Sequence, residues 1–529
     1  MPAFAKQNLP RVAILAGALA AAIALAVLYY WLFSTEQINS DQANALLAGQ
    51  DMLAGNWRLH DWWMAPDNYI GLEELVFAAV WGLTHNTILT IRLVAIFAWV
   101  CLGIVSFFLA TSEHSRQGRF RGLVILGAII LIPASGNGIS DFYFNAPLHV
   151  LTVTCIMLAI LIIDHAIKAA HQLPVMMAIL ACIAVDAAAS DSMFIYIGIF
   201  PIVTALLFMP QNKVPRRDKI ILVLVASTGL AILLLHLNGW AGGFTPHSLS
   251  VVLSPLRRLP PNIEHMYLCL LYILGCESLG QNTIGTIVAI IRFPLLGLAA
   301  LPIYLIVKHQ IFGIRQSNSN LVSRSFIDIS LCLVALADIG STCVSNILED
   351  IQGIRFFLPA WVAVSILASR YFLQNQKIVY YSGIIAICAV VSDLTFLARH
   401  PHPSAFPPAI NALTSALEQH HLEYGYALYW QASVSAAASD GKLHVSAVVP
   451  NQTGGIAPYQ WFSKTDWYKG QAAKQFFVIV SNEPKIIDEQ MVFTQFGRPV
   501  SSFTVENMTI YIFQGALPAL TWNSPAGAL

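Results

Sequence analysis

The sequence predicts an α-helical polytopic membrane protein with a small α+β soluble domain at its C-terminal end. Of the 529 residues, 57% are hydrophobic and only 11% are charged, whereas a soluble domain has about 25% charged residues. Long apolar runs follow one another up to residue 397. Beyond that point the runs stop, and stretches such as "KLHVSAVV" alternate apolar and polar residues, which is typical of strands.

The apolar runs predict about eleven transmembrane helices, since a span needs roughly 17–25 mainly apolar residues. The predicted spans are 12–33, 87–111, 122–138, 147–166, 174–190, 193–209, 220–238, 285–307, 326–346, 356–373 and 378–397. Run 71–84 is shorter and begins with Glu73 and Glu74. We expect it to form an interfacial or re-entrant helix rather than a span.

Basic residues predict the orientation of these spans. With a cytoplasmic N-terminus, every predicted cytoplasmic loop carries at least one lysine or arginine. A multi-pass protein of the bacterial inner membrane, with residues 398–529 in the periplasm, fits this pattern. An endoplasmic-reticulum membrane with a luminal domain obeys the same rule. The formal net charge is zero, so the protein has no overall positive charge that would attract nucleic acid. We therefore expect membrane lipids and no nucleic acid as partners.

The first external loop, residues 34–86, contains the most informative polar residues. Apolar residues at three- and four-residue spacing predict a short amphipathic helix from Ser40 to Gly55 in the membrane interface, with Ser40 as its N-cap. Three tryptophans follow and are typical of the headgroup zone: Trp57, Trp62 and Trp63. Asp41 lies where the loop leaves the first span. A carboxylate at that boundary suits either compensation of a helix dipole or work as a general base.

Residues 12–150 resemble the corresponding part of GT-C membrane glycosyltransferases, in the branch of protein O-mannosyltransferases and lipid A aminoarabinose transferases. The resemblance rests on the first span, on Asp41 and on the stretch "ALLAGQDMLAGNWRLHDWWMAPDNY". It implies a GT-C-like transmembrane catalytic domain over 1–397 and a separate soluble domain over 398–529. In that family an early aspartate of this loop lies at the centre of the active site, and Asp41 matches it. The family's usual Asp-Glu pair is Asp41-Gln42 here.

Other candidates follow from the outward-facing loops. The second external loop contains Asp141, Tyr143 and Asn145. Relatives often carry an aspartate there, which implies a catalytic role for Asp141, although a helix start at Asn145 and a turn at Asp141 explain the pattern equally well. His60 is a further candidate for binding substrate. Ser190 and Asp191 in a later outer turn are explained by helix capping.

Arginines on the outer side are candidates for holding a lipid phosphate, because a planar, permanently charged guanidinium binds phosphate in a bidentate manner. Arg355 matches the family in position and context, ahead of an aromatic helix start with a proline. Pairing with Glu349 or Asp350 is the structural alternative. Arg58 is the second candidate.

Together these residues predict an inverting glycosyltransferase that moves a sugar from a polyprenyl-phosphate donor to an acceptor hydroxyl of a lipid, glycan or protein. No cofactor is certain from the sequence, and a divalent metal is left open. Some family members use a divalent metal, for which a single early aspartate offers few ligands.

A transporter or flippase of a lipid-linked saccharide is the alternative, with Asp186, Asp328 and Asp338 as intramembrane acids. A scaffold would not need so many spans. Two aromatic segments of the soluble domain, "EYGYALYWQAS" and "WFSKTDWY", have no assigned chemistry.

Overall fold

The structure is a computed structural model of the chain. It describes residues 20, 23–112, 116–131, 149–169, 172–212, 214, 216–247, 252–273, 283–311, 325–347, 351–399, 404–482 and 486–521. The chain forms two compact units. The helical unit comprises Met1–Glu36, Ala95–Ala231 and Ser250–His402. The sheet unit comprises Gln37–Val94, Ile232–Leu249 and Pro403–Leu529. The functional division of the chain at residue 397 stays a prediction.

The helices of the first three-quarters of the chain include most of the predicted apolar runs. In chain order they are α1 (Ile23–Phe33), α2 (Ser40–Leu53), α3 (Leu75–Thr84), α4 (Thr87–Thr111), α5 (Arg116–Leu126), α6 (Val150–Lys168), α7 (Leu173–Ser190), α8 (Phe200–Phe208), α9 (Arg217–Trp240), α10 (Leu259–Ile273), α11 (Thr283–Ile311), α12 (Phe326–Val344), α13 (Leu358–Phe372) and α14 (Gln376–Arg399). A 3₁₀ turn, Ile351–Phe357, leads into α13.

Seven helices among the described residues are long and apolar enough to cross a membrane: Thr87–Thr111, Val150–Lys168, Leu173–Ser190, Arg217–Trp240, Phe326–Val344, Gly353–Phe372 and Gln376–Arg399. Ile23–Phe33 and Phe194–Phe208 are shorter apolar helices. The prediction of a helical, multi-pass membrane protein is therefore confirmed. The number of eleven spans is not confirmed and stays a prediction, as does the orientation of the termini.

Helix α13 is the most enclosed helix of the helical unit. It packs against α5, α11 and α12, and 83% of its apolar window is buried. Small residues such as Ala363 and Ala368 allow close approach of the neighbouring helices. The hydroxyl of Ser369 donates to the carbonyl of Gly122 in α5 at 3.0 Å, so this contact leaves no buried donor without a partner.

Two acids considered for transport have structural partners in the helical unit. Asp328, in the first turn of α12, accepts a hydrogen bond from the Nε of Arg370 at 2.6 Å. That arginine also donates to the Leu109 carbonyl at 2.8 Å. Asp338 accepts the backbone N–H of Ala360 at 2.7 Å, at the start of α13. Ion pairing accounts for Asp328 and helix capping for Asp338. Neither acid therefore indicates a transport pathway.

The C-terminal part of the sheet unit contains a six-stranded sheet of order β5-β4-β3-β7-β9-β8. Its strands are β3 (Tyr424–Ala427), β4 (His444–Pro450), β5 (Ile456–Pro458), β7 (Gln475–Ser481), β8 (Ser501–Val505) and β9 (Met508–Gln514), and its helices are α15 (Pro408–Gln419), α16 (Tyr429–Ala438) and α17 (Glu489–Phe496). Strand β3 runs parallel to β4 and β7, and the remaining pairs are antiparallel. The α+β prediction for this region is confirmed.

A second, smaller sheet joins three distant parts of the chain within the sheet unit. Its order is β2-β1-β6, with β1 at Trp62–Met64, β2 at Thr245–Pro246 and β6 at Ser463–Lys464. The register pairs Trp63 with Thr245 on one side and Trp62 with Lys464 on the other. The first external loop is thus a built-in part of the sheet unit.

Helix α2 confirms the predicted helix, but its predicted environment is wrong. The N-cap is Asn39 and not Ser40. Burial extends over both predicted faces, since Leu46 and the polar Asn44 are equally enclosed. The reason is that α2 packs against both α3 and α16. Gly49 permits the approach to α3, because a Cβ at this position would lie 2.8 Å from the backbone nitrogen of Ala78.

The run that begins with Glu73 and Glu74 forms a π-helical turn, Ile70–Glu74, followed by α3. Both glutamates are fully buried. Burial, and after it the charge of Glu73, raises the pKa of Glu74 well above its ordinary value. Burial of adjacent carboxyl groups is costly when both are ionised, so the fold favours protonation of Glu74.

Replacing Asp328 with asparagine should destabilise the helical unit by about 3 kcal/mol, because it leaves the buried Arg370 without its counter-ion. Thermal unfolding in detergent measures this. The matched control is Asp218→Asn, whose side chain is 77% exposed and 3.6 Å from Arg217, and we expect almost no change there. Equal melting temperatures for wild type and Asp328→Asn would contradict the structural role of the pair.

Replacing Glu74 with glutamine should make the protein less sensitive to rising pH. A carboxyl whose folded pKa is raised loses stability as the pH climbs from its unfolded value, about 4.3, towards its folded value, by up to about 1.4 kcal/mol per pH unit. Glutamine cannot ionise, so the advantage of Glu74→Gln over wild type should grow between pH 4.5 and pH 7.5 in roughly this way. Unfolding midpoints at several pH values test this, with the half-exposed Glu418 changed to glutamine as control. An advantage that does not vary with pH would refute the prediction.

Candidate functional site

The candidate site in the sheet unit is built on the first turn of α2. Asn39 and Gln42 form a capping box: the Asn39 side chain accepts the Gln42 N–H, and the Gln42 side chain accepts the Asn39 N–H, both at 3.1 Å. Gln42 therefore has a structural task at the position where the family usually has a glutamate. The box fixes the helix start, and with it the position of Asp41 directly before Gln42.

Asp41 accepts a short hydrogen bond from a residue of the C-terminal part of the sheet unit. The phenol of Tyr429, the first residue of α16, donates to Oδ1 of Asp41 at 2.5 Å. Burial, and after it the negative charge of Asp41, raises the pKa of Tyr429 well above its ordinary value. The phenol therefore keeps its proton at neutral pH and acts as a donor.

Aromatic rings continue from Tyr429 along the sheet unit. Tyr429 and Tyr459 meet edge to face with centroids 5.5 Å apart, and Tyr459 stacks on Trp461 at 6.4 Å. The ring of His247 lies 5.6 Å from that of Trp461. Burial, followed by the charge of Asp41, also raises the pKa of Tyr459. The carboxylate thus lies next to neutral, polar-edged aromatic rings.

Asp51, at the other end of α2, ties the helix to the small sheet. Its carboxylate accepts hydrogen bonds from the Trp62 indole at 2.7 Å, from the Asn56 amide at 2.6 Å and from Lys464 at 3.0 Å. Trp62 is consequently buried and meets Trp467 edge to face at 5.2 Å. The interpretation of Trp62 as a headgroup anchor is wrong, whereas Trp57 is 54% exposed.

Arg58 and His60 line one open pocket of the sheet unit, with a volume of about 450 Å³. Both side chains are exposed. The His60 ring donates through Nδ1 to the carbonyl of Gly242, and the carbonyl of Arg58 accepts the Phe244 N–H at 3.1 Å. The complete lining is Gly55, Asn56, Trp57, Arg58, His60, Ala241 and Gly242. Two predicted site residues are therefore neighbours in one concave surface.

In the helical unit, Arg355 belongs to the 3₁₀ turn before α13. Its guanidinium lies over the ring of Phe356, 5.1 Å from the centroid. Its Nε is buried and has no hydrogen-bond partner among the described residues. The alternative pairing with Glu349 or Asp350 lies outside those residues. The Arg355 side chain is half-buried, which leaves part of its guanidinium accessible to an anion.

A buried polar network lies near Arg355 in the same unit. Asp191, at the end of α7, accepts hydrogen bonds at 2.7 Å from both His149 Nδ1 and the Thr152 hydroxyl, and at 2.8 Å from the Met193 N–H. The hydrogen bond from the Met193 N–H corresponds to the capping role predicted for Asp191. The His149 ring lies 5.8 Å from that of Phe356. His149 adopts a left-handed backbone, φ 73°, which is uncommon for a residue with a side chain.

The other predicted residues of the second external loop are Asp141, Tyr143 and Asn145, and they lie outside the described residues. Their roles stay predictions.

Tyr429, Tyr459 and Trp461 were not predicted as site residues. Tyr429 belongs to the aromatic segment 423–433 and Trp461 to 461–468, neither of which has an assigned chemistry, and Tyr459 lies two positions before the second segment. Tyr429 donates to an acid 388 positions away, and the spacing of neighbouring residues cannot predict such a contact.

Comparison with known proteins adds the following. No protein-family model matches the chain, and no curated protein sequence matches it. Among solved structures, the chain is similar to ArnT from Cupriavidus metallidurans bound to undecaprenyl phosphate, with a TM-score of 0.52 and 10% sequence identity over 94% of this chain and 98% of ArnT. For the apo state of the same protein the TM-score is 0.46, at the same identity and coverage. The resemblance predicted from the first external loop is therefore confirmed at the level of the fold: this chain shares its fold with ArnT.

Proposed function

We propose that this protein is an inverting glycosyltransferase that moves a sugar from a polyprenyl-phosphate donor to an acceptor hydroxyl at the outer face of the membrane. The observation that carries the proposal is the position of Asp41. It lies in the first turn of α2, directly after the first apolar helix, where a phenol of the soluble domain donates to it, within a fold shared with ArnT.

A lipid-linked donor agrees with both the composition and the fold. The solved structure with this fold holds undecaprenyl phosphate, and we extend the same class of lipid to this chain. Nucleotide sugars stay in the cytoplasm, so a transferase that acts outside it needs a donor that lipid has carried across. The hydrocarbon tail of such a donor remains in the bilayer, which suits a chain with 57% hydrophobic residues.

In the proposed reaction Asp41 acts as the general base. It takes the proton of the acceptor hydroxyl as that oxygen forms a bond to the anomeric carbon. The bond between this carbon and the phosphate oxygen breaks, and the lipid phosphate leaves with the electron pair. A single displacement of this kind inverts the anomeric configuration. Asp141 would orient the acceptor, and His60, Tyr143 and Asn145 would contact the substrates.

The negative charge of the departing phosphate needs cationic partners. We assign this role to Arg355, whose guanidinium is half-buried and stacked on Phe356, and to Arg58, which lines the pocket of the sheet unit. Charge-assisted hydrogen bonds from a planar fork match phosphate oxygens in geometry and in sign.

We place the protein in the bacterial inner membrane, with a cytoplasmic N-terminus and a periplasmic C-terminal domain. The sugar is a hexose or a pentose in this proposal, and the acceptor is a lipid, a glycan or a protein. Loop charge supports the orientation, and the soluble α+β domain suits an aqueous compartment.

Asp41→Asn should lower sugar transfer by at least about 100-fold, because an amide cannot take the proton. The measurement is the release of lipid phosphate from a panel of radiolabelled polyprenyl-phosphate sugars by purified protein in detergent. Asp440→Asn, which changes an exposed aspartate of the same unit, should retain wild-type turnover. Transfer by Asp41→Asn at the wild-type rate would exclude Asp41 as the base. Donor flipping in proteoliposomes, unaffected by Asp41→Asn, would instead indicate a transporter.

Arg355→Gln should lower kcat/KM for the donor about 10- to 100-fold, as expected for the loss of one hydrogen bond to a charged group. Arg355→Lys should recover only part of the activity, since it keeps the charge and loses the fork. Steady-state kinetics with the donor as the varied substrate measures both. The control is Arg498→Gln, an exposed arginine in a loop of the sheet unit. Identical kinetics for Arg355→Gln and the control would remove Arg355 from the donor site.

A further inference from the structure

The contact between α2 and α16 connects the proposed base to the soluble domain at a single residue. Tyr429 donates through its phenol to Asp41 at 2.5 Å. Its backbone carbonyl accepts a hydrogen bond from the hydroxyl of Ser40 at 2.8 Å, in a buried contact. Two neighbouring residues of α2 therefore hold the two ends of Tyr429.

A third hydrogen bond fixes the two helices one turn further along. The Ser433 hydroxyl donates to the side-chain oxygen of Asn44 at 2.7 Å, and both residues are buried. Residues 40, 41 and 44 of α2 thus pair with residues 429 and 433 of α16. This spacing follows one face of each helix, so the phenol meets Asp41 because the helices pack in this register.

The ring of Tyr429 is itself held in place. Trp430 meets it edge to face at 5.1 Å, and Tyr459 meets it edge to face at 5.5 Å. Tyr429 is only 9% exposed. A donor that is confined in this way loses little entropy when it forms its hydrogen bond, which makes it suitable for holding a carboxylate in one orientation.

We propose that Tyr429 of the soluble domain is a positioning residue for Asp41, which holds the carboxylate ionised and oriented to receive the acceptor proton. The inference rests on the proposed function of Asp41 as the base. A hydrogen bond to the charged form of an acid favours that form, so Tyr429 keeps Asp41 deprotonated in a partly enclosed environment. The soluble domain thereby becomes part of the catalytic machinery.

The test compares Tyr429→Phe, which removes only the phenol oxygen, with Ser433→Ala, which removes the neighbouring hydrogen bond between the same two helices. In the phenylalanine variant we expect kcat to fall about tenfold, with KM for the donor changed less than about twofold. The acidic limb of the pH profile of kcat/KM should move up by about one pH unit, the size of one hydrogen bond to a charged group. Tyr459, a further titratable group that interacts with Asp41, is present in both variants.

Infrared titration provides a readout that does not require turnover. The carbonyl band of protonated Asp41 is identified as the band that Asp41→Asn lacks. It should titrate about one pH unit higher in Tyr429→Phe than in wild type, and at the wild-type pH in Ser433→Ala. A purely structural role would lower the thermal stability of both variants and leave this titration unchanged.

The outcomes separate the two proposals. Failure of wild type to transfer any sugar would overturn the proposed function, while the infrared titration would still decide whether Tyr429 controls the ionisation of Asp41. Active wild type and inactive Asp41→Asn, combined with wild-type kinetics and an unshifted titration in Tyr429→Phe, would overturn the inference alone.

Discussion

A buried polar contact between α2 and α16 holds the candidate site together. Ser40, Asn44 and Ser433 are enclosed, and each makes its hydrogen bond across this contact. Buried polar groups are generally hydrogen-bonded, so these hydrogen bonds favour the register in which the two helices pack. Asp41 and Tyr429 meet as a consequence of that register.

The same principle explains why the first external loop is rigid enough to carry a reacting group. Loops after a membrane helix are often mobile. Here Asp51 binds Trp62, Asn56 and Lys464, and β1 pairs with strands from two distant parts of the chain. An acid near each end of one helix thus has different partners: Asp51 attaches the helix to the small sheet, and Asp41 accepts a hydrogen bond from the phenol of Tyr429 in α16.

Charged side chains of the helical unit also have identifiable structural partners. Two intramembrane acids serve the packing: Asp328 pairs with Arg370, and Asp338 accepts the backbone N–H of Ala360 in the first turn of α13. Arg355 differs, because its buried Nε has no partner among the described residues and its guanidinium rests on an aromatic ring. A cation with no counter-ion among the described residues favours the binding of an anion.

The sequence by itself determined the class of the protein, its apolar helices, the α+β character of the C-terminal region and the importance of the loop around Asp41. These features are local, because hydropathy, helix period and strand alternation can be recognised within a window of about twenty residues. Its resemblance to GT-C enzymes also determined the fold, which the alignment with ArnT confirms. Tertiary structure decided the surroundings of each side chain. The sequence suggested an amphipathic α2 in the membrane interface and a headgroup role for Trp62, and both are buried because α16 and β6 cover them. The partner of Asp41 lies in another part of the chain, and only folding brings such residues together.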